Sequence, residues 1–546
     1  LTMALAPYTP PGATVSENTS PSVSPLIASA ANIALVGLAG NPTTTQTPIQ
    51  TTDTVILTGT TPVLLPTLAN INNDAVLVAV QSVTNVLNPS VGTPPGSGYV
   101  LTTDYTVQTG EAGPNGTNGT ITRVGAGGIP SGTLVAVTYT YLPSDYWDPI
   151  RLFDIGSVET RFGPSWATAT SSVTGQSYYT GINSQLSMAA RIAFANGAPS
   201  VICQPLFIAP NGAGTSPQNA PQASDLGNAA TWADTLYNLR PIEDLDIVVP
   251  IVGQDASHVT DSDMLNIFSA FQAHLAYMNN EQQYLVALFG EDGTSSSSEY
   301  QNLILGSSPG SASVLQQHAA YLQSSYGNAL SSQCVLLNNV LFQLPTPNGA
   351  NTIINVGGQY AAAALAGMLA SRSVSSSLTR STIAGFQSLT DPRVPSQKNT
   401  DAGAGLMVVE QVGQVIRVRQ GNTLDIQNGP ARSELSVVRA KFIMMESIQQ
   451  TLDNQVIGKI IADANSPLVV RSAISSVLSI LQQSKVIVGY SQVTSALTST
   501  NPTTVTASFS YAPAFPLNFV NVTFSIDLTN NSITVTDGTG SSSATA

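Results

Sequence analysis

Gly306-Ser307-Ser308-Pro309-Gly310 matches the Gly-x-Ser-x-Gly elbow that lifts a serine nucleophile between a strand and a helix. Acyl transfer there needs the residue after the serine to donate its backbone N–H to an oxyanion. That residue is Pro309, which has no N–H. His318 follows Ser308 by only ten residues, leaving no room for the acid in the usual order. The segment reads as a Gly/Ser loop. Asp255, His258, Asp261, Asp263 and His274 form a His/Asp cluster of metal-ligand type. They also sit where a loop enters a helix, and Asp261 or Asp263 as an N-cap accounts for them without an ion. Gly125-Ala126-Gly127-Gly128 lacks the spacing of a phosphate-binding loop and reads as a turn. Asn115-Gly116-Thr117 and Asn118-Gly119-Thr120 match glycosylation acceptors but read as loops. Cys203 and Cys334 each lie in an apolar, strand-like run and are expected as buried free thiols. No catalytic, cofactor-binding or metal residue is expected, and the chain does not read as an enzyme.

The elements around these residues say more than the residues do. Charged side chains are 9% of the chain, against roughly 25% in an ordinary soluble protein. A protein that must stay apart from its own copies uses charge to do so. One packed against copies of itself needs less. The net charge of −14 disfavours a nucleic-acid partner. From Arg372 to Lys485 the balance reverses, with 12 basic against 8 acidic residues, so that stretch is +4 and the remainder −18. A basic region of this kind is suited to an acidic partner. No run reaches 18 apolar residues, so no membrane-spanning helix is expected, and the N-terminus lacks the pattern of a secretory signal.

Hydrophobic periodicity divides the chain. Ile33 to Gly37 reads as a buried strand, and residues 43–54 as a Thr/Gln/Pro-rich connector. Residues 55–146 carry short strands between Gly/Pro/Asn turns, the pattern of a small β-sandwich. After Pro149, helical periods at 183–196, 224–238, 264–278, 311–325 and 358–372 alternate with strands at 201–206, 245–252, 284–289 and 334–342, the mark of an α/β layer fold. Beyond 395 come strands at 405–419 and a helix starting near Gly429-Pro430. A second helix starts at Ser466-Pro467, with Ser466 as N-cap. The fold expected is an α/β core with a mixed sheet, an inserted all-β sandwich-like domain, and an α+β C-terminal domain with extended terminal arms. The corresponding ranges are 1–31 for the N-terminal arm, 32–54 and 147–394 for the core, 55–146 for the insertion, 395–528 for the C-terminal domain and 529–546 for the C-terminal arm.

Both ends read as extended. Pro7, Pro10, Pro11, Pro21 and Pro25 exclude a helix at the start. At the end, Val520, Val522, Phe524 and Ile526 alternate with polar residues, as do Ile533 and Val535 after a turn at Asn530-Asn531. These strands are expected to lack a partner in their own domain. Arms at both ends suit a protein that adds strands to its neighbours' sheets, with Thr14, Val15 and Ser16 pairing at one end and the alternating apolar positions at the other.

The pieces resemble, in order, the contractile tail sheath proteins of bacteriophages and related injection systems. The resemblance runs through Pro10 to Asn18, Asn32 to Ala39, Phe153 to Gly163, Ala189 to Gly197, Ser433 to Ile448 and Tyr511 to Val520. It implies a virion protein of the phage tail, assembled in the host cytoplasm. Copies would form stacked rings, hexameric in the family, around a tail tube, joined by exchanged terminal strands and bounded by baseplate and terminator proteins. The sheath would contract to drive the tube through the host envelope, with no nucleotide or cofactor. The 55–146 insertion would decorate the outside and the C-terminal domain would face the tube. Lys459, Arg471 and Lys485 around the second C-terminal helix, with Arg439 and Lys441 on the preceding one, are the candidate tube-facing cations. Competing readings are a secreted surface-layer or adhesin-type protein, which predicts a secretory signal, and an α/β enzyme, which predicts a polar pocket.

Overall fold

The computed structural model describes residues 31–39, 49–66, 76–86, 98–108, 110–111, 120–142, 148–170, 177–206, 226–253, 259–291, 302–308, 311–338, 341–347, 353–391, 393–498, 501–518, 522–527 and 532–537. Its centre is a six-stranded sheet in the order Cys334–Leu336, Val286–Phe289, Ile247–Ile251, Ile33–Gly37, Val201–Pro205, Ile150–Leu152. The first five strands run parallel, and Ile150–Leu152 is antiparallel at the edge. The runs Ile33–Gly37, Val201–Pro205, Ile247–Ile251 and Val286–Phe289 are buried at every position, as strands covered on both faces must be. Ile33 and Leu35 point into one apolar cluster, Ala34 and Val36 into the other.

Helices Gln185–Ala195 and Gly358–Ala370 cover the first face, and Ala229–Tyr237, Asp261–Asn280 and Val314–Ser331 the second. Gly358–Ala370 is buried on all sides. It meets Gln185–Ala195 backbone to backbone, because a Cβ on Gly367 would lie 2.2 Å from the Ala193 carbonyl oxygen. Two segments that carry the family resemblance also meet: Glu159 Oε1 accepts from Arg191 Nη2 at 2.6 Å and from Ser165 N at 3.0 Å.

The run expected as one strand over 334–342 is two. Cys334–Leu336 stays in the central sheet, while Leu341–Pro345 joins Ile353–Val356 and Ser388–Thr390 in a separate three-stranded sheet. Asn338 ends the first strand: it is buried, and its amide exchanges hydrogen bonds with Val409, accepting from N at 3.0 Å and donating to O at 3.3 Å. Its backbone N–H is also committed outside the central sheet, donating to Met407 O at 3.1 Å. Its carbonyl oxygen is taken by Arg393 Nη1, which also reaches Asp401 Oδ2, both at 2.8 Å.

In the β-rich region, Ile49–Leu57, Thr133–Leu142, Val76–Asn85 and Gly110–Glu111 form one antiparallel sheet, and Val63–Leu64, Thr120–Arg123 and Tyr105–Gln108 another. Their apolar cluster, from Val55 and Leu57 to Tyr139 and Tyr141, draws on this region alone. Its first strand starts at Ile49, inside the stretch expected as a connector. The threonines there are β-branched and pair across the sheet, Thr52 Oγ1 lying 2.9 Å from Thr138 Oγ1.

Further along, the hairpin Val409–Val412/Val415–Val418 packs on the α/β core through Val409, Ile416 and Val418. The helix expected from Gly429-Pro430 is broken: Pro430–Ser433 is one turn, Glu434 is extended at φ −96° and ψ 115°, and the long helix is Leu435–Gln455. The break is fixed from outside, since Leu435 N donates to Gly421 O and Thr423 N to Ser433 O. Leu435, Val438 and Phe442 belong to the α/β core, whereas Met444 and Ile448 belong to a C-terminal cluster with Ile474, Val477, Leu478 and Leu481. The packing thus changes partway along this helix and not at 394/395. Helix Ser466–Gln483 has Asn465, not Ser466, at its N-cap; the Ser466 hydroxyl is occupied with Ile461 O and Asp463 Oδ1. Two small sheets follow, Ile487–Tyr490 with Tyr511–Pro513 and Thr494–Thr498 with Asn501–Ser508.

Candidate functional site

The residues that suggested chemistry serve the fold. Ser308 is exposed, and its backbone pairs with Ser311 in a local turn, N to Oγ at 3.1 Å and O from Oγ at 2.7 Å. His318 is buried elsewhere, its Nδ1 2.7 Å from Glu291 Oε1 and its ring edge-on to Phe268. Burial opposes its cation, but the Glu291 carboxylate outweighs burial and raises its pKa. Asp255 and His258 lie outside the described residues. Asp261 and Asp263 are not N-caps: Thr260 is, and it shares a capping box with Asp263, the hydroxyl accepting from Asp263 N and the carboxylate from Thr260 N. A side chain with both an oxygen acceptor and a cap position one residue earlier outcompetes the aspartates. His274 is buried in the same helix; burial, with Arg240 adding, pushes its pKa down to about 4, a neutral imidazole. The described residues hold no group of three or more His, Cys, Asp or Glu placed to bind a metal. Gly125 to Gly128 form a turn against Asp104, with Gly128 N donating to Asp104 Oδ1 at 2.5 Å. Cys203 and Cys334 are buried free thiols, and burial raises both well above the usual range. No described helix is long and apolar enough to cross a membrane.

The arms are the second group. Thr14, Val15, Ser16 and Val520 lie outside the described residues. Val522, Phe524 and Ile526 lie on the strand Val522–Asp527, Ile533 and Val535 on Ser532–Asp537. These strands do have a local partner, which is each other, in register Phe524↔Val535 and Ile526↔Ile533. A four-residue link suits such an antiparallel pair, and the expectation of unpartnered strands missed it. The hairpin is a two-stranded sheet with no third strand among the described residues.

The five cations separate. Arg439 is buried, donates Nη2 to Leu369 O at 3.1 Å, and cannot face a tube in this arrangement. Burial lowers its pKa to about 10, with Asp246 pulling the other way. Lys441 lies over the Phe442 ring, 5.1 Å from its centroid. Lys459 is exposed and bonds back to Asn454 O. Lys485 is exposed in the left-handed conformation, φ 58°, just past the end of helix Ser466–Gln483. Arg471 is half-buried and is the one charge in that helix, whose outer face carries Leu468, Val469, Ser472, Ser476 and Ile480. Leu468 and Ile480 are 51% and 50% exposed. This face bears no charge, so its cations sit around an apolar and hydroxyl stripe.

Sequence reasoning missed the charged groups at the joint between the core and helix Leu435–Gln455. Asp246 accepts from Asn32 N at 2.7 Å at the foot of the central sheet. Burial raises its pKa. Tyr284 stacks on Phe442, centroids 5.3 Å apart and planes at 13°, and its backbone N–H bonds to Glu446. Burial, and then Asp246, push Glu446 up to about 8. The signal was there: Arg439 and Glu446 flank Phe442 at helical spacing on the buried face.

Residues 427–527 match the family model described as the phage tail sheath C-terminal domain. The chain is 26% identical over 467 residues to the tail sheath protein of Mycobacterium phage Bxz1, covering 84% of this chain and 70% of that one. Similar solved structures include the helical sheath of the anti-feeding prophage in its contracted state, at 13% identity and TM-score 0.49 over 95% of this chain and 100% of that one. Another is a sheath tail protein from Listeria innocua, at 13% identity and TM-score 0.40 over 89% and 93%. The helices and small sheets beyond residue 427 are the part that the family model matches, and the similarity to a tail sheath protein extends over most of the chain.

Proposed function

We propose that this chain is the sheath subunit of a contractile phage tail, a structural virion protein that polymerises into a cylinder and shortens to drive an inner tube into the host. The observation that carries the reading is the C-terminal hairpin Val522–Asp527/Ser532–Asp537, a two-stranded sheet with both edges open among the described residues. An isolated hairpin is marginal in water, and open edges are templates for strands of another chain. The sheets Ile487–Tyr490/Tyr511–Pro513 and Thr494–Thr498/Asn501–Ser508 also have two strands each and could receive such strands. Heterologous pairing of this kind that does not close on itself builds a helical tube. On this reading residues 1–31 and the C-terminal hairpin exchange between copies arranged in rings, hexameric by the family resemblance. The β-rich region, taken from Ile49 where its first strand begins and not from residue 55, folds independently on the outside, as its separate apolar cluster suggests.

Contraction needs no active site. The free-energy difference between two packings of one subunit, held back by a kinetic barrier, does the work. Helix Ser466–Gln483, with Arg471, Lys459 and Lys485 around its uncharged outer face, is the proposed tube contact, and baseplate and terminator proteins are the expected partners at the ends. Negative-stain electron microscopy of the purified chain tests this reading. Hollow cylinders support it; a monodisperse particle of fixed size under all conditions rejects it.

A further inference from the structure

Glu434 gathers three parts of the chain at one buried carboxylate. Its Oε1 accepts from Ser377 Oγ at 2.9 Å, on the loop after the buried helix Gly358–Ala370, and from Ser436 Oγ at 3.1 Å, in the first turn of the long helix. Its Oε2 accepts from Asn518 Nδ2 at 2.9 Å. Asn518 stands four residues before the strand Val522–Asp527, at the root of the C-terminal arm. From Ala514 to Asn518 the chain has no regular structure, and its exposure alternates. Ala514, Pro516 and Asn518 are half-buried, while Phe515 and Leu517 are 51% and 84% exposed. That is an extended segment laid along the subunit surface, with Asn518 on its inner side.

We propose that the Glu434–Asn518 hydrogen bond is a latch that fixes where the C-terminal arm leaves the subunit, and so sets the direction in which its hairpin is presented to a second copy. The proposal rests on the strand-exchange reading above. Glu434 suits the role because it is held from outside its helix. It occupies the break between Pro430–Ser433 and Leu435–Gln455 and bridges to Asn422. A carboxylate buried among three hydroxyl and amide donors makes charge-assisted bonds, stronger than neutral ones. Burial raises the pKa of Glu434, against the donors Asn518, Ser377 and Ser436. Among the described residues no other hydrogen bond of 514–518 reaches the α/β core, so its trajectory depends on this contact.

The chemistry supplies a reversible test. Asn518→Asp sets carboxylate against carboxylate and opens the latch. Adding Glu434→Gln exchanges donor and acceptor: the new amide nitrogen stands where Oε2 was, and its oxygen still accepts from Ser377 and Ser436. Glu434→Gln alone is mild, because Asn518 Oδ1 has no partner among the described residues and the Asn518 amide can flip to accept. Three readouts apply to the full-length chain: cylinder yield by negative stain, thermal unfolding of the unassembled chain, and chymotryptic cleavage after Leu517 and Phe519, since Pro516 protects the bond after Phe515. Asn518→Asp is expected to speed that cleavage about ten- to a hundredfold, the worth of one bond to a charged group, and to cut cylinder yield with little change in unfolding temperature. The double variant is expected to restore both. If Asn518→Asp folds poorly, Asn518→Ala takes its place in the cleavage and assembly arms. Normal cylinders from Asn518→Asp, or loss that Glu434→Gln does not rescue, would overturn the latch. A chain lacking 519–546 separates the two ideas. If that chain is blocked while Asn518→Asp assembles normally, strand exchange stands and the latch fails. If that chain itself assembles normally, both fall.

Discussion

Glu446→Gln should make the subunit more stable at pH 8 and leave it unchanged at pH 4.5. Glu446 sits on the inner side of helix Leu435–Gln455, facing Asp246 and Tyr284 on the core, with Arg439 on its own helix and Asp244 and Arg151 further out. Burial, then Asp246, raise its pKa to about 8 from the ordinary 4.5. The folded chain therefore holds a proton there that the unfolded chain gives up. The sign follows from linkage: the stabilisation is complete below pH 4.5 and is lost as pH rises through about 8. Each pH unit in that window is worth about 1.4 kcal/mol, so the full cost at pH 7 is about 3 kcal/mol. Glu446 keeps part of its surface in water, and screening reduces the expected effect to about 1–3 kcal/mol. Glutamine copies the protonated acid and keeps an acceptor for Tyr284 N. The assay is thermal or urea unfolding of dilute, unassembled chain from pH 4.5 to 8.5, with hydrogen exchange along 435–455 to place the change at the joint. Wild type should weaken as pH rises and the variant should weaken much less. Parallel pH profiles for the two chains would refute the reasoning.

Two further substitutions probe other parts of the account. Gly367→Ala should destabilise by about 1–3 kcal/mol or more, because its Cβ would meet Ala193 O at 2.2 Å, whereas Gly403→Ala, with nothing within 4 Å, should be nearly neutral in the same thermal melts. Arg471→Glu with Lys485→Glu should lower the yield of sheathed tubes without unfolding the chain. The deficit should be largest at low salt, since exposed charges are screened over about 10 Å at 0.1 M; equal yields at low and high salt would show that the contact is not electrostatic.

The central sheet was legible because burial on both faces writes continuous apolar runs. Ile33–Gly37, Val201–Pro205 and Ile247–Ile251 all fell where periodicity placed them. What sequence missed was set by distant partners. Asn338 splits a run of apolar residues because Met407 and Arg393, both far along the chain, hold its backbone N–H and carbonyl while Val409 holds its side chain. Glu434 breaks a helix because residues 421–423 and Ser377 hold its flanks. Arg439 looked like a surface cation by type, yet its place beside Phe442 on the inner stripe puts it in the core. The final strands alternated as expected, but alternation shows that a strand has two faces and not which strand lies beside it. Their pairing with each other came from the short link between them.

Removing residues 519–546 tests the central claim most directly. The deletion takes the whole hairpin and leaves both apolar cores and the Glu434–Asn518 contact in place. Purified side by side and imaged in negative stain, the full chain should form long hollow cylinders. The shortened chain should remain a folded, unassembled subunit with an unchanged melting temperature. Cylinders of normal length from the shortened chain would contradict assembly through exchange of the C-terminal strands.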